Sequence, residues 1–190
     1  MTTDRPATVR WTLRLEDAPA VDGAVHAVEP AIESAFGSGT RGSVLRGEWL
    51  GHALHPLLTD VVIGTWTSAT VLDMIGGRDS AAAAQRLVGA GLLAAGPTAW
   101  AGWAEWSRVG PREKRVGLVH AATNAVAIGT YAASWVARRK GRHGAGAGLA
   151  LAGAAVSGVG AYLGGHLALT RNAASRHPAY DDESLRAQAD

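Results

Sequence analysis

Three long stretches of the chain contain no charged residue and dominate its hydropathy pattern. Residues 87–104, 116–137 and 144–170 form uncharged runs of 18, 22 and 27 residues. A helix rises about 1.5 Å per residue and the hydrocarbon core of a bilayer is about 30 Å thick, so runs of about 20 residues can cross it. The pattern therefore predicts at least three membrane-spanning helices.

A fourth span is predicted at residues 57–75, although Asp60 lies one turn inside it and Asp73 lies near its end. The stretch between these carboxylates is uncharged, Pro56 suits a first helical turn, and Gly76 suits a helix end. The four predicted spans are residues 57–75, 87–106, 116–137 and 147–170. Short loops make neighbouring spans antiparallel, so the sequence predicts an all-α fold, an integral membrane antiparallel four-helix bundle.

Polar segments flank the predicted bundle, which occupies residues 51–171. Residues 1–50 form an N-terminal extension, and apolar residues recur there every three to four positions at about 21–36, which predicts an amphipathic helix. Its acidic residues argue against binding to anionic lipid, so we expect it to dock on the bundle or on a partner. Residues 172–190 are predicted to form a polar C-terminal tail.

The distribution of charged residues predicts the topology, and the composition excludes several kinds of cofactor site. Eight Lys and Arg residues flank the side that holds both termini and six flank the other, which predicts that both termini are cytoplasmic. The polar start of the chain predicts no cleavable signal peptide. The chain has no cysteine, which excludes disulfides, cysteine-held iron–sulfur clusters and covalently attached haem. The basic run at 138–142 suits a loop at the membrane surface, so no nucleic-acid partner is predicted.

The predicted topology gathers polar residues near one membrane face, because spans one and three begin where spans two and four end. The five residues at this face are His52, His55, Glu105, His120 and His166. Ionisable groups at membrane depth are costly unless they face the bundle interior, and they mark functional sites. The neighbouring polar residues expected to support the histidines by hydrogen bonding are Asp60, Glu105, Asn124 and Tyr162.

Two cofactors suit this cluster. The iron of haem b takes axial imidazoles from opposite faces of the porphyrin. The candidate haem ligands are His55, His120 and His166. A bare metal ion could instead be held by several imidazoles. The candidate metal ligands are His52, His55, His120 and His166. We therefore expect a membrane redox subunit that passes electrons to or from a partner.

Two other interpretations of the histidines stay open. The polar residues could bond helix to helix in a membrane anchor or assembly subunit without a cofactor. They could also form a proton, quinone or solute pathway. The sequence does not decide whether the protein is an enzyme, and it does not decide between a monomer and a homo-oligomer.

Residues 51–60, GHALHPLLTD, and residues 63–66, IGTW, resemble an uncharacterised bacterial membrane family, domain of unknown function 2231, whose members typically carry a GHPLHP motif. Further matches lie at residues 115–124, 131–135 and 162–167, so the resemblance covers about residues 15–170. Ala53 replaces the usual proline and leaves both histidines of the motif in place.

This resemblance carries a functional expectation as well as a fold. Some relatives are joined to a Rieske-type iron–sulfur domain, which implies a place in electron transfer. This chain has no cysteine to hold such a cluster, so its iron–sulfur partner would be a separate protein. The resemblance further implies a shared site, whose members are His52, His55, Asp60, His120 and His166.

Overall fold

The computed structural model describes residues 5–173, and this part of the chain is all-α, as the sequence predicts, with no β-strand. Its helices are α1 (Ala7–Glu16), α2 (Asp22–Ile32), α3 (Gly39–Arg46), α4 (Leu54–Ile75), α5 (Ala81–Trp106), α6 (Pro111–Arg139) and α7 (His143–Gly165). Wider π-helical segments, Glu33–Gly37 and His166–Thr170, continue α2 and α7. Apart from residues 172 and 173, the predicted C-terminal tail lies outside the described residues.

The four long helices α4 to α7, together with the π-helical segment that continues α7, contain the four predicted spans. Each helix begins a few residues earlier than predicted. The predicted spans follow runs without charged residues, whereas the helices also include polar residues that precede these runs. Pro111, for example, opens α6 at the first helical position, where its missing N–H costs nothing. By length and composition, one helix of the described chain, His143–Thr170, is apolar enough to cross a membrane. Crossing by the other three helices stays a prediction.

Helices α4 to α7 form a closed ring of neighbours. Helix α4 packs on α5, α5 on α6, α6 on α7, and α7 back on α4. The contacts within the hairpins α4–α5 and α6–α7 are far more extensive than the contacts between the hairpins. Because each connection is short, neighbouring helices run in opposite directions. The bundle is therefore two helical hairpins laid side by side.

Helix α7 packs on α6 through glycines that each face one large side chain. Gly146, Gly153, Gly160 and Gly164 face Arg138, Tyr131, Asn124 and His120, in that order. Steps of 7, 7 and 4 residues along α7 are matched by the same steps in reverse along α6. A Cβ at Gly153 or Gly164 would lie 2.9 Å from the facing ring. The absence of side chains at these positions thus sets how closely the two helices approach.

The hairpin α4–α5 repeats this packing, with Gly91 facing Trp66 and Gly102 facing His55. A shift of 65 residues takes α4 onto α6, and a shift of 62 takes α5 onto α7. The buried positions follow these shifts. The buried residues Val62, Trp66 and Ala69 of α4 correspond to the buried residues Ala127, Tyr131 and Ser134 of α6. Every buried position of α7 likewise corresponds to a buried position of α5.

Equivalent residues of the two hairpins meet at the centre of the bundle. Trp66 stacks on Tyr131 with ring centroids 3.9 Å apart and an interplanar angle of 17°. The rings of His55 and His120 are 6.4 Å apart at 87°. Because each residue meets its own equivalent, an approximate twofold axis runs between α4 and α6 along the length of the bundle.

A buried ion pair closes the bundle at the end opposite the histidines. Arg138, whose side chain is fully buried, donates from Nη1 to Asp73 at 2.8 Å, and its second terminal nitrogen also donates to this carboxylate. The hydroxyl of Ser134 accepts from Arg138 at 3.2 Å and donates to the carbonyl oxygen of Gly146 at 2.6 Å. Asp73 and Arg138 are also equivalent positions of the repeat, so the axis passes between them as well.

The N-terminal helices dock on the histidine end of the bundle through ion pairs. Arg115, at the start of α6, donates to both carboxylate oxygens of Asp22 at 2.6 and 2.9 Å. These hydrogen bonds hold the pKa of Asp22 below its usual value. Lys114 pairs with Glu29. Helix α2, which corresponds to the amphipathic helix predicted at about 21–36, therefore packs on the bundle, whereas α1 and α3 have no counterpart among the predicted elements.

Candidate functional site

His55 and His120 form a layer inside the bundle, near the starts of α4 and α6. The Nδ1 atom of His55 lies 2.9 Å from the carbonyl oxygen of Thr98, and that of His120 lies 2.9 Å from the carbonyl oxygen of Gly160. A carbonyl oxygen can only accept, so each Nδ1 carries a proton and donates it. Thr98 and Gly160 are equivalent positions of the repeat. Each imidazole is thus oriented by the backbone of its own hairpin, which leaves Nε2 to accept a hydrogen bond.

The two Nε2 atoms differ in their surroundings. The side-chain amide nitrogen of Asn124 lies 3.0 Å from Nε2 of His120 and donates to it. The residue equivalent to Asn124 in the first hairpin is Thr59, whose hydroxyl donates instead to the backbone carbonyl of His55 at 2.9 Å. Within residues 5–173, Nε2 of His55 has no hydrogen-bond partner. It is therefore available to accept a hydrogen bond from a ligand.

A cavity of about 290 Å³ lies between α4 and α7, and we call it the α4–α7 cleft. His55 and His120 line one end of it, and the stacked rings of Trp66 and Tyr131 line the deeper end. The remaining walls combine alanine, valine and isoleucine side chains with three threonines, Asn124 and Ser157. The cleft is thus a mainly apolar space with an imidazole layer at one end and an aromatic floor at the other.

Ser157 of α7 is a polar group in the wall of the α4–α7 cleft. Its hydroxyl oxygen is buried and has no hydrogen-bond partner in the described part of the chain. Ile63 and Gly158 at the edge of the cleft are both exposed on the outer surface of the bundle. The cleft therefore opens sideways between the helices, and it contains two polar atoms, on His55 and Ser157, that lack partners.

A second cavity, of about 240 Å³, shares the histidine layer as a wall. It is lined largely by α5 and α6 and extends to Glu105 near the end of α5. Two charged groups exert an electrostatic effect on Glu105: Arg46, the last residue of α3, and Glu48, two residues beyond it. Two acidic residues, Asp60 and Glu105, were expected to support the histidines. Of these, Glu105 lines a cavity whose wall includes the histidine layer.

The structure places His52 and Asp60 apart from both cavities. His52 is exposed in the turn that precedes α4, and Asp60 is exposed on the outer face of α4. Asp60 follows His55 by five positions, so its side chain is rotated about 140° from that of His55 around a helix of 3.6 residues per turn. Asp60 therefore points away from the imidazole that it was expected to support.

His166 and Tyr162 face helix α1 instead of the bundle interior. The Nε2 atom of His166 lies 2.6 Å from a carboxylate oxygen of Glu16, and Nε of Arg171 donates to the same oxygen at 2.7 Å. The hydroxyl of Tyr162 lies 3.3 Å from that of Thr12. His166 follows Gly164, which contacts His120, by two residues, so it points to the opposite side of the chain.

Glu16 is the centre of this cluster and is only 2% exposed. Its burial alone would raise the pKa of its carboxyl group, but the hydrogen bonds from Arg171 and His166 outweigh burial and lower the pKa below its usual value. The charged carboxylate thus ties α1 to the end of the bundle. The predicted ligand His166 already has a protein partner in this arrangement.

The geometry also limits how a bare metal ion could be held. Within residues 5–173, no group of three or more His, Asp and Glu side chains could hold a common ion. The histidine layer offers His55 and His120, with Asn124 beside them. Structural zinc sites use four protein ligands and catalytic zinc sites use three. Two imidazoles suit haem iron better, because the porphyrin supplies its other four ligands.

Thr98 and Gly160 complete the histidine layer, but their residue types do not indicate that they belong to the site. Both contribute a backbone carbonyl, which every residue carries. The signal that finds them is the internal repeat. A histidine is followed eleven residues later by an aromatic residue in both α4 and α6, and two glycines lie eleven residues apart in both α5 and α7.

Taken together, the fold and the site define a helical bundle of two repeated hairpins with a polar layer in an apolar interior. Residues 51–175 match the model of the family described as Predicted membrane protein (DUF2231). This match covers more than half of the chain, so the protein belongs to that family of predicted membrane proteins, as the GHALHP motif indicated. Membership implies association with lipid. No curated protein and no solved structure matches the chain.

Proposed function

We propose that α4 to α7 all cross a bacterial inner membrane, with both termini and the N-terminal helices on the cytoplasmic side. The family assignment supports this topology, as do the span lengths and the bias of Lys and Arg. Asp73 and Arg138, which lie in the interior of the bundle, form an ion pair, as burial of charge in a membrane requires.

Within that bundle, the proposed function is to bind a membrane-soluble hydroxyaromatic compound of the quinol class in the α4–α7 cleft. The observation that carries this proposal is a pair of polar atoms without partners in the described part of the chain, Nε2 of His55 and the buried hydroxyl oxygen of Ser157, in one mainly apolar cavity. The Ser157 hydroxyl is the buried one of the two, and an unpaired buried polar group costs about 1–3 kcal/mol. A ligand with matching groups removes that cost, whereas a purely apolar ligand does not.

The chemistry of the cleft defines the ligand. Nε2 of His55 accepts, so the ligand needs a donor there, and the hydroxyl of Ser157 can donate or accept. A volume of about 290 Å³ between helices, near the lower limit of about 300 Å³ for small-molecule pockets, suits a single flat ring system. The sideways opening lets a lipophilic compound enter from the membrane. A quinol has these properties, since it carries hydroxyls on opposite sides of an aromatic ring.

Equilibrium binding to the protein in lipid nanodiscs tests this proposal. The probe is 2-methyl-1,4-naphthoquinol, kept reduced under anaerobic conditions, and the readout is isothermal titration calorimetry. Saturable binding is expected for the unaltered protein. His55→Ala and Ser157→Ala should each weaken binding about tenfold, the equivalent of one hydrogen bond.

Asp60→Asn is the matched control, because Asp60 lies on the same helix but is exposed on its outer face. It should bind the quinol as the unaltered protein does. If the unaltered protein binds no quinol, or if both cleft variants bind it with unchanged affinity, the proposal is wrong.

Haem b held between His55 and His120 is a second candidate, favoured by the distance between the two rings. The ring centroids lie 6.4 Å apart, so His55 and His120 could together hold a prosthetic group, and a haem there would supply electron-transfer chemistry. The Asn124 amide would have to release Nε2 of His120 for this ligation. A haem so held would exchange electrons with a separate iron–sulfur or quinone-linked partner.

An absorption spectrum of the protein extracted in mild detergent tests the haem candidate. Bound haem b predicts a Soret band that is lost in His55→Ala and in His120→Ala and retained in His166→Ala, since His166 pairs with Glu16. Absence of the band, with no iron by elemental analysis, would remove this candidate. If neither quinol nor haem binds, the histidines serve helix packing in a membrane anchor.

A further inference from the structure

The second cavity, which we call the α5–α6 cavity, adjoins the histidine layer as the α4–α7 cleft does. From His55 and His120, which line both spaces, it extends past Glu105 to Val109 and Glu113. Val109 lies in the loop that joins α5 to α6, and Glu113 lies in the first turn of α6. The α5–α6 cavity therefore runs from the histidine layer to the end of the bundle on which the N-terminal helices dock.

Glu105 lies beside this route, one turn from the histidine layer. Gly102 of α5 contacts the ring of His55, since an added Cβ would lie 2.9 Å from its Cε1 atom. Glu105 follows Gly102 by three positions, which places it on the same face of α5 and about 4.5 Å nearer the helix end. The shift of 62 residues takes Glu105 onto Leu167, which lines the same cavity. One half of the bundle thus has a carboxyl group where the other has an apolar side chain.

The carboxyl group of Glu105 has no hydrogen-bond donor and no ion-pair partner in the described part of the chain. Arg46 acts on it electrostatically, but Arg46 forms its ion pair with Glu48 at 2.8 Å. The other titratable side chains in the wall of the cavity are His55, Glu113 and His120. An isolated carboxylate in mainly apolar surroundings is costly, and uptake of a proton removes the charge. Glu105 is therefore suited to gain and lose a proton.

Beyond the histidine layer, buried side chains fill the interior of the bundle. Trp66 stacks on Tyr131 at the centre, and Ala150 in the same buried cluster is fully buried. The ion pair of Asp73 and Arg138 follows at the far end. An interior packed in this way leaves water no continuous route through it. A proton that enters from the histidine end therefore stops at the histidine layer.

We infer that the α5–α6 cavity is a proton half-channel, which connects the cytoplasmic side to the histidine layer and ends there. Its volume of about 240 Å³ has room for several water molecules, each of which occupies about 30 Å³ in the liquid. Glu105 is the proton carrier: its O–H bond breaks, water passes the proton on, and an N–H bond forms at Nε2 of His55. The step leaves a carboxylate and an imidazolium, and no electron moves. This inference rests on the proposed membrane crossing, but not on the ligand of the α4–α7 cleft.

Labelling of single cysteines tests the route, because the chain has no cysteine of its own. Ala121→Cys places a thiol in the wall of the α5–α6 cavity, next to His120. Ser38→Cys is exposed just before α3 and reports the side of the N-terminal helices. Both should react with the membrane-impermeant reagent sulfonatoethyl methanethiosulfonate in inside-out vesicles, and neither should react in spheroplasts. The control Ala150→Cys, in the buried core, should react in neither preparation.

Glu105→Gln tests the carrier, because it removes the titratable group and keeps the size of the side chain. With ¹⁵N-labelled histidine in lipid nanodiscs, exchange broadening of the His55 Nε2 resonance gives the rate at which this ring gains and loses a proton. The rate should fall about a hundredfold, the lower end of what a positioned acid or base contributes. Glu105→Asp should retain most of the rate. The control Asp60→Asn, on the outer face of α4, should leave it unchanged.

The topology and the half-channel fail in distinguishable ways. If Ser38→Cys and Ala121→Cys both react in spheroplasts alone, the proposed topology is wrong and the half-channel stands with its sides exchanged. The inference is overturned if Ala121→Cys fails to react from the side on which Ser38→Cys reacts, or if it reacts from both sides. A folded Glu105→Gln variant with an unchanged proton-exchange rate at His55 would overturn it as well.

Discussion

Replacement of Gly153 by alanine tests the glycine register that holds α7 against α6. The added Cβ would lie 2.9 Å from two carbon atoms of the Tyr131 ring. Tyr131 is 1% exposed and is held in place by its stack on Trp66, which movement of the ring would disturb. Overpacking of this kind costs about 1–3 kcal/mol, and replacing glycine by alanine gains about 1 kcal/mol of helix propensity. Gly153→Ala should therefore lower the free energy of unfolding by up to about 2 kcal/mol.

Gly148→Ala is the matched control, because Gly148 lies in the same helix with open space around its Cβ position. It gains the helix propensity without the clash, so it should leave stability unchanged or raise it by up to about 1 kcal/mol. Unfolding by sodium dodecyl sulfate in mixed micelles, followed by circular dichroism, gives both values. Equal stability of the two alanine variants would refute the register.

Two ion pairs give further predictions. Glu16→Gln should release α1, because the buried Glu16 carboxylate holds it to Arg171; hydrogen exchange of the α1 amides should rise in the variant. Since these bonds lower the pKa of Glu16 below the usual 4.5, the same rise should occur in the unaltered protein as pH falls below about 4.5, and not above it. Asp73→Asn should cost about 3–5 kcal/mol by leaving Arg138 buried without its counter-ion. The exposed control Arg139→Gln loses only its contact with the Trp135 ring and should cost at most about 1 kcal/mol in the same titration.

Hydropathy predicts the four long helices well, because uncharged runs are sufficient evidence for helices of this length. It does not predict α1, whose position depends on one carboxylate, Glu16, and its partners near the other end of the chain, His166 and Arg171. The sequence separation of these partners leaves no local pattern. Long-range ion pairs of this kind become visible only when the chain is folded.

The candidate site was predicted in part. Depth along the spans correctly brings His55 and His120 to one layer, with Asn124 and Glu105 nearby. Depth does not say which way a side chain points around its helix, so it could not separate these residues from Asp60, which faces outwards. The helix register relative to its neighbours decides that direction. The glycines opposite the large side chains fix this register, and the internal repeat identifies these glycines in the sequence.

The central claim is that a quinol hydroxyl donates to Nε2 of His55 in the α4–α7 cleft. Its most direct test is a titration of the ¹⁵N-histidine-labelled protein in lipid nanodiscs with 2-methyl-1,4-naphthoquinol, followed by nuclear magnetic resonance. The structure predicts a saturable shift of the His55 Nε2 resonance, with His120 held by Asn124 and His166 held by Glu16 largely unchanged. No shift at His55, or an equal shift at His120, would contradict the account.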